Sequence, residues 1–279
     1  MPVLALLHPF TQLGWLAWSI HPSTVVGLVA LAALYFWRER RAPPGEHLSV
    51  GRRISFFSAL LLIFVSLNGP LHDLSDDYLF SAHMVQHLLL TLAMPPLLIA
   101  GIPGWMLRPL LRNRIIAAIA RRVTRPIFCF VAFNLVIAGW HIPDLYNSAM
   151  ANHNIHIVEH LMMMSAAVLM WWPITSQLPE LPRLSYPGQM LYCFLMIIPM
   201  SIVAVYISMA EQVLYPAYSS APRITSLSPL DDQLLGGLIM WVPGGMIFMI
   251  IMTVIFFKWA ARGEDDAASA QVDWKPRAA

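Results

Sequence analysis

The chain has 279 residues, 58% of them hydrophobic and only 11% charged, with a mean hydropathy of +0.64. A soluble domain carries about 25% charged residues, so this composition excludes an ordinary soluble globular protein and points to a membrane. The net charge of +2 is too small to indicate a nucleic-acid partner.

The opening stretch, "MPVLALLHPF", has no basic n-region and no obvious cleavage site, so a signal peptide is not expected. A membrane span needs about 20 apolar residues. Seven stretches approach this: 20–37, 54–69, 80–100, 126–141, 154–173, 187–209 and 234–258. Pro95 and Pro96 interrupt the third, Pro199 the sixth and Pro243 the seventh. Such prolines are tolerated in membranes when neighbours satisfy the carbonyls they free. Sixteen of the 17 Lys and Arg residues follow spans one, three, five or seven, and Arg223 is the exception. The positive-inside rule makes that side cytoplasmic, with the N-terminus outside and the C-terminus inside. An odd number of spans is then required. The basic loop 101–125 is expected to lie along the anionic inner surface. The tail from Gly263 to Ala279 is polar and is expected to be disordered. The expected fold is therefore an all-α integral membrane protein. Residues 1–262 form a bundle of seven transmembrane helices, and 263–279 form a cytoplasmic tail. Cys129 and Cys193 lie in apolar runs and read as small buried hydrophobes, not as a disulfide.

With this topology, nine of ten histidines belong to the outer half, and only His47 is cytoplasmic. Two pairs have i, i+4 spacing: His83/His87 in "HMVQH" and His156/His160 in "HIVEH". That spacing puts both rings on one helix face, about 6 Å apart along the axis. Spans three and five run in the same direction, so the pairs sit at matched depth, one turn into the membrane. Ionisable groups there are costly and mark function. Four imidazoles in one small volume suit a metal, a haem or a proton-handling site. His141, at the end of span four, is next in line. Met84 adjoins the first pair, and Met164 continues the second at i+4. Thioether with imidazole favours Cu(I) over other metals. Glu159 is the only carboxylate well within a span, and it suits a group that orients a ligating His or transfers a proton. Asp76 and Asp77 read as a solvated outer loop; Asp231 and Asp232 open span seven.

Two alternatives come from the same residues. "HIVEH" matches H-x-x-E-H, a zinc protease pattern in which Glu is the general base. That chemistry needs a third protein ligand, for which Glu211 or His141 is available, and an open position for water. The other pair has Gln86 at the base position. A haem held by facing histidines is the second alternative; with both pairs at one end, only one haem fits.

Three long motifs carry a family resemblance: "HMVQHLLLTLAMPPLLIAGIP" (83–103), "WHIPDLYNSAM" with "HNIHIVEHLMM" (140–163), and "SPLDDQLLGGLIMWVPGG" (228–245). Together they resemble the CtaG-type cytochrome c oxidase assembly factors of bacterial membranes, over about residues 20–260. The resemblance implies a seven-span inner-membrane protein needed to build active haem–copper oxidase. It also implies copper delivery to the oxidase catalytic subunit. Implied partners are oxidase subunits, periplasmic copper chaperones and the bilayer, and a homo-oligomer stays open. On matching positions, His83, His87, His141, His156, His160 and Glu159 carry the family's recognisable polar residues, with Asp231 or Asp232 at span seven. An assembly factor of this kind need not be an enzyme.

Overall fold

The structure, a computed structural model, describes residues 18–272, all helix and connecting loop with no strand among them. His8 and residues 273–279 lie outside the described residues. In chain order the helices are α1 (Pro22–Glu39), α2 (Val50–Asn68), α3 (Pro70–Asp77), α4 (Phe80–Leu88), α5 (Met94–Gly101), α6 (Gly104–Leu107) and α7 (Arg114–Val123). Then come α8 (Pro126–Trp140), α9 (Pro143–Ala151), α10 (His153–Thr175), α11 (Tyr186–Ser208), α12 (Pro216–Ser219) and α13 (Pro229–Val272). A π-helical turn, Leu89–Ala93, joins α4 to α5, so the third predicted span is one broken helix.

Each predicted span has its helix, but not all reach membrane length. Among the described residues, five are long and apolar enough to cross: α2, the α4–α5 unit, α10, α11 and α13. The α7–α8 pair, bent by 70°, makes a sixth if it counts as one span. Alone, α8 has 15 residues, about 22 Å at 1.5 Å per residue, against a hydrocarbon core of about 30 Å. The shortfall of α1 comes from its last turn, which carries Arg38 and Glu39. At the other end of the chain, α13 runs on past Gly263 to Val272, into the stretch read as tail. That stretch, "GEDDAASAQV", is rich in the strong helix formers Ala, Glu and Gln.

Polarity is inverted relative to a soluble protein. Ile127 and Leu135 expose 81% and 68% of their surface, while His83 and Asp232 expose none. An apolar exterior of this extent belongs to a surface in contact with lipid. Inside, α11 packs along α13, α4 along α13, α2 along α5, and α10 against α8 and α5. Glycines permit the closest approaches. A Cβ on Gly101 would lie 2.6 Å from the Phe56 backbone, and one on Gly236 would lie 2.3 Å from the Phe80 ring.

The two ends of the bundle differ in chemistry. At one end, Arg52 donates to Ala100 O (3.2 Å) and to the Gln177 side chain, Arg38 to Trp105 O (3.4 Å), and Arg108 pairs with Glu180 (3.0 Å). These contacts tie α1 to α6, α2 to the end of α5 and the loop after α10, and the residue after α6 to that same loop. The histidines gather at the opposite end. Three short helices, α3, α9 and α12, cover that end, where the sequence suggested only loops.

Candidate metal centre

Local structure explains how each histidine is aimed. The start of α4 has no cap of its own. Asp232 of α13 supplies one: its carboxylate accepts from Phe80 N (2.7 Å), Ser81 N (3.2 Å) and the Ser81 hydroxyl. Helix N-termini favour such a carboxylate. Asp232 therefore fixes the helix that carries His83 and His87. Asp231 is exposed and bonds Ser228 within its own first turn. Neither Asp reaches the imidazoles directly.

Below His87 the helix widens into the π turn. Pro95 and Pro96 stand four and five residues after Thr91 and bring no N–H, so Thr91 O loses its helical donor. The indole of Trp171 on α10 replaces it, donating to Thr91 O at 2.9 Å. Span three and α10 are thereby locked in register, at a contact one turn past His87 on one helix and about three turns past His160 on the other. π turns recur at functional sites.

The four predicted imidazoles converge. Ring centroids of His83 and His87 are 4.2 Å apart, and those of His156 and His160 4.5 Å. Between helices, His83–His156 is 5.9 Å, His83–His160 6.1 Å and His87–His160 5.6 Å. His141 comes within 6.0 Å of His87. Its Nδ1–H donates to Ile137 O (2.7 Å), which leaves Nε2 as the nitrogen with the free lone pair. Glu159 is 1% exposed, with Oε1 3.8 Å from His87 Nε2. Both ring nitrogens of His83, His87 and His160, Nε2 of His141 and His156, and both Glu159 oxygens are buried with no hydrogen-bond partner. Buried polar atoms are normally satisfied, so such a concentration points to something held between them. Ligand-distance groups form around His83 in two combinations: with His87 and Glu159, and with Asp76 and His156.

The methionines divide. Met164 lines a cleft beside His160. Met84 packs toward α13, its Cγ 3.2 Å from where a Cβ on Gly236 would sit, in the apolar core with Phe80. It is core, not a neighbour offered to the rings. Glu211, the alternative third zinc ligand, is exposed in the loop after α11.

Several residues of this end escaped the sequence reading. Asp76, expected in a solvated loop, is partly buried, its Oδ2 3.5 Å from His72 Nδ1 and 3.4 Å from His156 Nδ1. Gln86 is a brace: its amide donates to Ser66 O (2.6 Å), and its Oε1 accepts from Ser75 (3.1 Å). Tyr146 and Tyr218 complete the wall. Tyr218 donates to Ser75 O (2.7 Å), so Tyr146 donates to Tyr218 (2.8 Å). Burial pushes both phenols well above the usual tyrosine range, so they remain neutral donors. The Tyr146 ring lies 5.3 Å from His83.

The residues fit a soft or borderline cation. They offer neutral imidazole nitrogens, one carboxylate to offset charge and a thioether nearby. A carboxylate buried without donors is costly unless a proton or a cation offsets it.

No curated protein and no solved structure matches the chain. A family model matches residues 5–262, which include every histidine of the cluster. The chain belongs to the cytochrome c oxidase caa3 assembly factor family (Caa3_CtaG).

Proposed function

We propose that this assembly factor binds Cu(I) at the histidine end and delivers it to the catalytic subunit of the oxidase. The observation that carries the reading is the buried meeting of His83, His87, His156, His160 and Glu159, with seven ring nitrogens and two carboxylate oxygens among them unpartnered. His141 adds a further nitrogen, and Met164 stands ready on the cleft side. The protein acts as a carrier, and its partners are oxidase subunits and copper chaperones on the outer side.

The proposed setting is the bacterial inner membrane, with seven spans, N-terminus outside and C-terminus in the cytoplasm. The separation of arginines and histidines to opposite ends supports that orientation. The helical state of α1 and α8 supports the count of seven, with α1 and the α7–α8 pair as the short spans.

The test is anaerobic Cu(I) titration of the purified protein against a competing chelator, beside a His83→Ala/His160→Ala double variant. Stoichiometric binding lost in the variant is the expected result; no copper in either sinks the proposal. In a deletion strain, oxidase activity and oxidase copper content should fall together. Stoichiometric zinc with peptide or lipid cleavage abolished by Glu159→Gln would establish the hydrolase instead, and a Soret band would establish haem.

A further inference from the structure

A cleft of about 240 Å³ opens beside the buried centre, between α1 and α10. His21, His72, His153, His156, His160 and Met164 line its polar side. Three of these histidines belong to no pair and come from three separate elements: the residue before α1, α3 and the first residue of α10. The rings nevertheless form a continuous ladder. His153–His21 is 5.6 Å between centroids, His21–His72 4.7 Å, and His72–His156 6.4 Å. From His156 the next rings are those of the buried centre. Exposure falls along the same line: His153 is exposed, His21 intermediate, His72 and His156 buried, and His83 fully enclosed.

We propose that the cleft is a second, outer Cu(I) station held by His21, His72 and His153, from which the ion passes to the buried centre through His156 and His160. The inference rests on the copper reading above but not on the same ligands.

Asp76 supports it independently. Its Oδ2 stands between the Nδ1 atoms of His72 and His156 (3.5 and 3.4 Å), bridging the outer group to the inner one. A carboxylate beside Nδ1 of His156 favours the tautomer that leaves Nε2 as that ring's donor nitrogen. The Nε2 of His156 is one of the buried nitrogens with no partner. The Nε2 of His72 shares a 2.8 Å hydrogen bond with Nε2 of His21, so the two rings already meet, and an ion bound there takes the place of the shared proton. Neutral imidazoles suit Cu(I), and a thioether, Met164, lines the same wall. Transfer is ligand exchange: each Cu–N bond to an inner ring forms as one to an outer ring breaks. The copper stays Cu(I), and no electron moves.

The experiment uses the full chain in lipid nanodiscs, with Cu(I) supplied anaerobically from a chromogenic chelator. The wild type should take up two ions per chain. His21→Gln/His153→Gln, on one exposed and one half-buried residue, should keep one ion and load it at least tenfold more slowly. His83→Gln/His87→Gln should keep one ion and load it at the wild-type fast rate. If the first double variant melts below wild type, His153→Gln alone carries the rate measurement, with slower loading expected. Stoichiometry and loading rate unchanged by the outer substitutions would overturn the outer station while leaving the buried centre standing. A wild type that binds no copper would overturn both.

Discussion

Glu159 and Asp232 are both buried carboxylates, but their surroundings assign them opposite tasks. Asp232 has three donors and no histidine, so its work is to hold α4. Asp232→Ala should destabilise the protein by about 1–3 kcal/mol, read as a lower melting temperature in detergent. Glu159 has no donor and faces His87. Glu159→Gln keeps its shape and cannot take on a negative charge. The expected outcome is an unchanged melting temperature with Cu(I) affinity about 10–100-fold weaker, measured by chelator competition. The i, i+4 pairs and Glu159 were legible in the sequence because helical spacing alone puts them on one face. Choosing between Asp231 and Asp232 was not, because the choice depends on where α4 begins against α13. Asp76, His72 and His21 were illegible for the same reason: three short-range neighbourhoods meet only after the bundle packs. Gln86 looked like a failed catalytic base, and the carbonyl it serves, Ser66 O, lies on another helix.

Among the elements, the broken span three matters most. Its prolines announced a break, yet nothing in "LLLTLAMPP" named the group that would repair it. Trp171 is that group, eighty positions away. Trp171→Phe keeps an aromatic side chain but loses the N–H and part of the indole's volume, leaving Thr91 O buried and unpaired. The expected loss is about 1–3 kcal/mol of stability, checked by thermal melting, with copper release faster than in wild type. Gly101 tests the other end of the same unit. Gly101→Ala drives a methyl into the Phe56 backbone and should cost about 1–3 kcal/mol. Gly139→Ala, where a Cβ meets nothing within 4 Å, should leave stability unchanged or raise it by up to about 1 kcal/mol. Comparing the two melts separates crowding from any general effect of alanine. Short outer helices such as α3 and α9 were not foreseen, because eight or nine residues with several polar side chains carry little periodic signal.

For the whole molecule, the sorting of charge in the sequence matches the two-ended chemistry of the bundle, and that sorting is what gives it a direction. Cys129 and Cys193 are buried, so they give a low background for labelling. A cysteine at Asn154 should react with a membrane-impermeant maleimide added to spheroplasts. One at Ala261 should react only after permeabilisation. The reverse pattern would invert the proposed topology and put the histidines on the cytoplasmic side.

The π turn at Leu89–Ala93 has a consequence in simple arithmetic. A π turn takes up more residues than an α turn, and each residue of an α-helix rotates it by about 100°. The half above it is anchored by Asp232, and the half below by Gly101 against Phe56. The wide turn absorbs its extra residue, so straightening 89–93 to plain α-helix at full length would swing one half by about a quarter turn, carrying His83 and His87 toward lipid, whereas removing one residue there would let the span relax to α-helix with both halves in phase. The centre is thus specified by a count as well as by chemistry. A chain with a one-residue gap inside this turn keeps its histidines in phase; one with the same gap elsewhere in the span does not.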